Sequence, residues 1–102
     1  MDIKIKHDSD HNKFFAIIAG KECSLRYEKM NNNVIDAKLM FVPKNMRGQG
    51  IASQLVEQAV NFAKKNNYRI KPTCSYVDEY IRGNAKYLPI LAEDAEPVTA
   101  NK

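Results

Sequence analysis

A chain of 102 residues with 44% hydrophobic and 27% charged side chains has the size and balance of one soluble domain with a modest core. Sixteen Lys and Arg against twelve Asp and Glu leave a formal charge of +4. That favours an anionic ligand, but it falls short of the concentrated basic patch that specific nucleic-acid binding would need. No signal-type leader is expected from the opening residues, no apolar run nears membrane-spanning length, and Cys23 and Cys74 lack metal-ligand spacing. A cytoplasmic chain with reduced thiols, no metal and no membrane association is expected.

The first part of the chain reads as strands. Ile3–Lys6 alternates apolar and polar residues as a half-buried strand does, and His7–Asn12 breaks the pattern with turn formers. Lys13–Ile18 is a second, β-rich run, followed by a tight turn at Ala19-Gly20. In the third run, Cys23, Leu25 and Tyr27 share one face, against Glu22, Ser24, Arg26 and Glu28 on the other. Asn31-Asn32-Asn33 predicts a turn, because asparagine tolerates left-handed backbone. The fourth run sets Ile35, Ala37, Leu39 and Phe41 against Val34, Asp36, Lys38, Met40 and Val42.

After Pro43 the period changes. Ile51, Leu55, Ala59 and Phe62 recur every three or four residues, widened by Ala52, Val56 and Ala63, which predicts an amphipathic helix of roughly 16 residues ending near Lys64-Lys65. A further strand is expected from Tyr68 to Cys74. A short helix then follows over Ser75–Arg82, with Ser75 as a possible N-cap and Gly83-Asn84 as its stop. Ala85–Leu91 suggests a turn or two of helix broken by Pro89. Residues 1–91 thus form one expected domain, and 92–102 has little to bury and reads as a disordered tail. The fold class is α+β: one mainly antiparallel sheet, one principal helix and a short C-terminal helix.

The loop before the principal helix is unusual. Lys44-Asn45-Met46-Arg47-Gly48-Gln49-Gly50 brings two cations and two glycines to a helix start, and no acidic residue follows before Glu57. Helix N-termini carry unpaired N–H groups and partial positive charge, so acidic side chains normally collect there. Their absence leaves room for a phosphate or pyrophosphate ligand, which glycines would let approach the backbone closely. Two glycines can equally serve only as a strand-to-helix turn. Neither a Walker loop nor a dinucleotide fingerprint is present.

The spacing Arg47-x-x-Gly50-x-Ala52 resembles the acyl-coenzyme A signature of the GCN5-related N-acetyltransferases, and Val42–Val60 looks like their strand, pyrophosphate loop and helix. Downstream, Ile70–Ile81 resembles the cysteine segment of the family's small YjdJ-type branch. The resemblance runs from about Ile3 to Leu91 and implies a minimal version of that fold, binding acetyl-CoA as co-substrate. It implies backbone amides of Arg47, Gly48, Gln49, Gly50, Ile51 and Ala52 around the pyrophosphate, with Lys44 and Arg47 as further phosphate contacts. The edge of the strand ending Met40, Phe41 and Val42 would pair with the pantetheine arm.

The reaction so implied is acetyl transfer to an unidentified amine, on a small molecule or a peptide. The alternative is an acyl-CoA-binding or sensing module with little turnover. Transfer needs a neutral amine, a positioned carbonyl and a proton for the departing thiolate. Cys74, where a strand hands over to a helix, is a candidate nucleophile or acid, or a packed thiol. Tyr76 and Tyr80, four apart on the short helix, are candidate leaving-group acids or packing aromatics. Cys23 is read as core, and His7 and His11 as exposed. One position departs from the branch: its pattern His-Thr-x-Val-Pro falls on Leu39-Met40-Phe41-Val42-Pro43, so the possible general base is replaced by leucine.

Overall fold

The computed structural model describes residues 3–92. Five strands, β1 (Lys6–Asp8), β2 (Lys13–Ile18), β3 (Lys21–Met30), β4 (Val34–Phe41) and β5 (Arg69–Lys71), form one sheet in sequence order. The first three pairings are antiparallel and β4–β5 is parallel. Helix α1 (Ile51–Lys65) crosses between β4 and β5, and α2 (Ser75–Arg82) follows β5. A 3-10 segment, Ala85–Ile90, contains Pro89 and leads to Leu91, which bridges Ile70. The α+β class and single sheet agree with the sequence.

Turn chemistry sets the strand limits. Ala19 and Gly20 take positive φ at the β2–β3 hairpin, and Asn32 and Asn33 do so between β3 and β4. The first strand lies later than its alternation suggested. Asp8 pairs with Lys13 at the end of the first hairpin, so the ladder fixes Lys6–Asp8 and leaves Ile3 and Ile5 packed against the core outside the strand. β5 is also shorter than expected, because Pro72 has no N–H to continue a ladder.

One irregularity shapes the rest. Tyr27 pairs with Ala37 but Arg26 pairs with Leu39, so Lys38 is an extra residue in β4. The bulge inverts the alternation. Ile35 and Ala37 are buried on the helix side, whereas beyond it Val42 is buried there and Leu39 and Phe41 stand exposed on the other face. The sequence expectation that all four odd-numbered residues share one face is therefore corrected.

α1 buries Ile51, Leu55, Val56, Ala59, Val60 and Ala63 against the sheet. Leu25, Ile35, Ile51, Leu55, Ile70 and Ile81 are fully buried, each contributing about 1.5–3 kcal/mol of apolar transfer. The helix ends in a six-to-one hydrogen bond, Tyr68 N–H to the Ala63 carbonyl, with Asn67 in the left-handed region. A stack of His7, Phe14, Tyr27, Phe62 and Tyr68 closes this end of the core. Ala92 is buried and donates its N–H to the Ile70 carbonyl; the rest of the segment read as a tail lies outside the described residues.

Candidate functional site

Three elements meet at one cleft. The bulge carries the end of β4 past the reach of β5, whose ladder stops at Asp36↔Lys71. One more bond, from the Cys74 N–H to the Ala37 carbonyl at 2.8 Å, closes the split. Beyond it no strand among the described residues lies beside Met40 and Val42 on that side, and the gap opens against the first turn of α1. The resulting cleft, about 440 Å³, is lined by Met40, Val42, Met46, Arg47, Gly48, Gly50, Ile51, Ala52, Cys74, Ser75 and Tyr76.

The loop has the geometry of an anion cradle. Gly48 and Gly50 both lie in the left-handed region, at φ 82° and 81°. A Cβ on Gly48 would meet nothing within 4 Å, and one on Gly50 nothing nearer than 3.9 Å, so space stands open over the backbone. No amide from Gly48 to Ser53 donates to a backbone carbonyl among the described residues; intrahelical bonding begins with Gln54 N–H to the Gly50 carbonyl. The first turn of α1 contains no acidic residue and its last turn holds Lys64 and Lys65. The loop is anchored from both ends. Arg47 Nε donates to the Val42 carbonyl at 3.0 Å, and buried Met46 lies with its sulfur 4.0 Å from the Cys23 thiol.

Of the predicted residues, the fold brings Val42, Arg47, Gly48, Gly50, Ile51, Ala52, Cys74 and Tyr76 together. It leaves Gln49 and Lys44 on the exposed side of the loop and turns the Phe41 side chain to the opposite face of β4. Leu39 faces that way too, so a side chain at this position does not line the cleft. Cys74, rather than Ser75, is the N-cap of α2, and Ser75 lines the cleft instead. Cys23 is fully buried, as expected of a packing thiol. His11 is exposed and bonds Asp8; His7 is open on one side but stacks on Phe14 and shares a 2.6 Å hydrogen bond with the Tyr27 hydroxyl.

The two tyrosines of α2 separate. Tyr76 faces the cleft, and burial pushes its phenol above the ordinary value against an opposing contact with Ser53. It is protonated at neutral pH and can give a proton. Tyr80 instead donates to Glu57 Oε2 at 2.6 Å, with Tyr87 donating to the same oxygen at 3.1 Å. That carboxylate ties α2 and the 3-10 segment to α1. Burial first, then the bond to Glu57, pushes the Tyr80 phenol well up. The periodicity gave no sign of Glu57, since its partners are tertiary. Met40 was expected on the strand edge, but the bulge hid that its side chain faces the cleft, and a lone apolar residue in a charged loop was the only hint of Met46. No histidine or carboxylate lines the cleft, and no cluster of metal-ligating groups occurs among the described residues.

A sheet splayed beside a glycine-bearing helix start is the architecture of an acyltransferase domain of the GCN5-related kind. Residues 13–90 match the family described as GCN5-related N-acetyl-transferase, and the chain belongs to it. It is 29% identical over 97 residues to Protein NATD1 of Mus musculus, covering 93% of this chain and 86% of that protein, and to the same extent to its Homo sapiens counterpart, with 84% of that protein covered. Protein NATD1 of Danio rerio is 25% identical over 84 residues, 80% of this chain and 76% of that protein. The NMR solution structure of a GCN5-like protein from Staphylococcus aureus superposes with a TM-score of 0.72 at 24% identity, covering 88% of each chain, and so shares the fold. No helix among the described residues is long and apolar enough to cross a membrane.

Proposed function

We propose that this protein is an acetyl-CoA-dependent N-acetyltransferase of the small YjdJ-type, acting on an amine of a small molecule or peptide. The observation that carries this reading is the convergence of unpaired amides at Gly48–Ala52 with the unpaired end of β4 in one cleft. The fit is chemical. A pyrophosphate needs several N–H donors, positive potential and no Cβ in its way, and the loop supplies all three. An extended amide-bearing arm needs a strand edge with no neighbouring strand, which Met40–Val42 offers, the Val42 carbonyl alone already accepting from Arg47 Nε.

With the diphosphate at the loop and the arm along β4, the thioester would lie toward Cys74 and Tyr76. The amine nitrogen attacks the thioester carbonyl carbon, the C–S bond breaks, and the departing sulfur takes a proton. Tyr76, held protonated, is the acid of choice there. The amine loses its own proton to water, which also returns a proton to the Tyr76 phenolate, because no carboxylate or histidine lines the cleft among the described residues. Catalysis would then come mainly from positioning, and the rate should rise with pH as more acceptor is neutral. Cys74 reads as the residue whose N–H closes the strand split, with its thiol against the cleft. A nucleophilic role would add an acetyl group to that sulfur.

The missing base also favours a second reading, an acyl-CoA-binding or sensing module with little turnover. Calorimetric titration with acetyl-CoA, beside intact-mass analysis and an amine screen, separates them. Micromolar binding lost in Gly50→Glu supports the coenzyme site. An acetyl mass absent in Cys74→Ala would assign the nucleophile, and binding without transfer to any amine would favour sensing. No binding would refute both readings.

A further inference from the structure

The outer face of the sheet, away from α1, carries a row of large apolar side chains where a solvated sheet would carry polar ones. Ile17 is 58% exposed, Leu39 58% and Phe41 52%. Register places Phe15, Ser24 and Phe41 in line across β2, β3 and β4, as it does Lys13, Arg26 and Leu39, while Ile17 lies opposite Glu22. Ser24 is buried between its two aromatic neighbours. The bulge at Lys38 creates this row by swinging Leu39 and Phe41 outward. Lys21, Glu22, Ser24, Arg26, Leu39, Phe41 and Pro43 line a groove of about 660 Å³ along it.

Charge selects the occupant. Glu22, the groove's one carboxylate, is already bridged at 2.8 Å by Lys13. Lys21 and Arg26 have no acidic partner among the described residues, although Lys38 beside them is paired with Glu28. Two uncompensated cations therefore flank the apolar row. A second copy of the chain would bring against this face the same excess of cations over carboxylates, Lys13, Lys21, Arg26 and Lys38 against Glu22 and Glu28. An apolar ligand alone would leave them unmatched.

We propose that this groove docks a peptide segment of another protein in which acidic residues flank bulky apolar ones. The apolar side chains seat on Leu39 and Phe41, and the carboxylates meet Lys21 and Arg26. Because the groove lies on the opposite face of β4 from the cleft, peptide binding here and coenzyme binding there succeed or fail independently.

The test is an amide NMR titration of the full chain with an acetylated, amidated heptapeptide alternating glutamate or aspartate with phenylalanine and leucine. A twin peptide with lysine and arginine in the acidic positions serves as control. Saturable shifts confined to β3 and the end of β4 are expected with the acidic peptide alone. The double variant Lys21→Glu, Arg26→Glu, whose sites are exposed and whose fold is checked by its unshifted α1 amides, should bind at least tenfold more weakly. Equal response to both peptides, an unchanged affinity in the double variant, or no shift in this region would overturn the proposal. So would concentration-dependent broadening of these amides without peptide, which signals self-association, or a response to phosphatidylserine vesicles but not to peptide.

Discussion

Replacing Gly50 with alanine puts the loop geometry to a test whose sign is set in advance. A Cβ at this position would stand 3.9 Å from Gln54 Nε2 and 4.0 Å from Ser53 Oγ, ordinary contact distances, so crowding contributes nothing. The backbone decides the outcome instead. Gly50 is the N-cap of α1 at φ 81° and ψ 9°, and holding an L-residue in that left-handed well costs about 1–2 kcal/mol. The gain from restricting the unfolded chain offsets about 0.4–1 kcal/mol of this. A net loss near 1 kcal/mol follows, or a fall of about 4–8 °C in Tm for a domain of this size. Gly50→Asn should lose less, since asparagine tolerates the same well. Thermal and urea unfolding of the three proteins measures this directly. If Gly50→Ala proved more stable than the parent, the position would not be left-handed, and the cradle built on it would fall.

The remaining predictions concern packing and protonation. Leu55→Ala removes a fully buried side chain facing the sheet and should cost about 2–5 kcal/mol by urea unfolding, with a loss under 1 kcal/mol arguing against that placement. The hydrogen bond from Tyr80, with a smaller contribution from Tyr87, holds the Glu57 carboxyl below its ordinary 4.5. The stability it lends is present above that pH and lost as pH falls through the lower folded value, so Glu57→Gln should flatten the acid limb of the stability profile. Burial, aided by the Lys29 charge and opposed by Asp8, lowers His7 below 6.5, so folding favours its neutral ring. Stability from this source is complete above 6.5 and declines as pH drops through the folded value; His7→Phe should remove that dependence, and an NMR titration midpoint at or above 6.5 would contradict it.

Much of this fold was legible because local chemistry and tertiary structure agree. Asparagine turns, the glycine hairpin and the switch from period two to period 3.6 at Pro43 each marked a boundary that the fold respects. The spacing of Arg47, Gly50 and Ala52 located the cleft, since the need for bare backbone at a helix start is visible in residue types. Lys38 was illegible. An inserted strand residue leaves no trace in an alternating pattern unless the opposing strand is known, so the faces of Leu39, Met40 and Phe41 were exchanged. The same slip concealed the cleft-facing side chain of Met40, whose strand edge was expected at the site, and the apolar row on the outer face. Tyr76 and Tyr80 share spacing and environment in one dimension, and only the position of Glu57 on α1 assigns one to the cleft and the other to a structural bond.

The central claim is that the amides of Gly48–Ala52 and the edge of Met40–Val42 hold one coenzyme. Amide NMR of the isotope-labelled chain titrated with coenzyme A tests it most directly. Saturable shifts are expected in those two segments and at Cys74, with the Gly48 and Gly50 amides among the largest. Absence of saturable binding, or shifts that leave the loop unmoved, would contradict it.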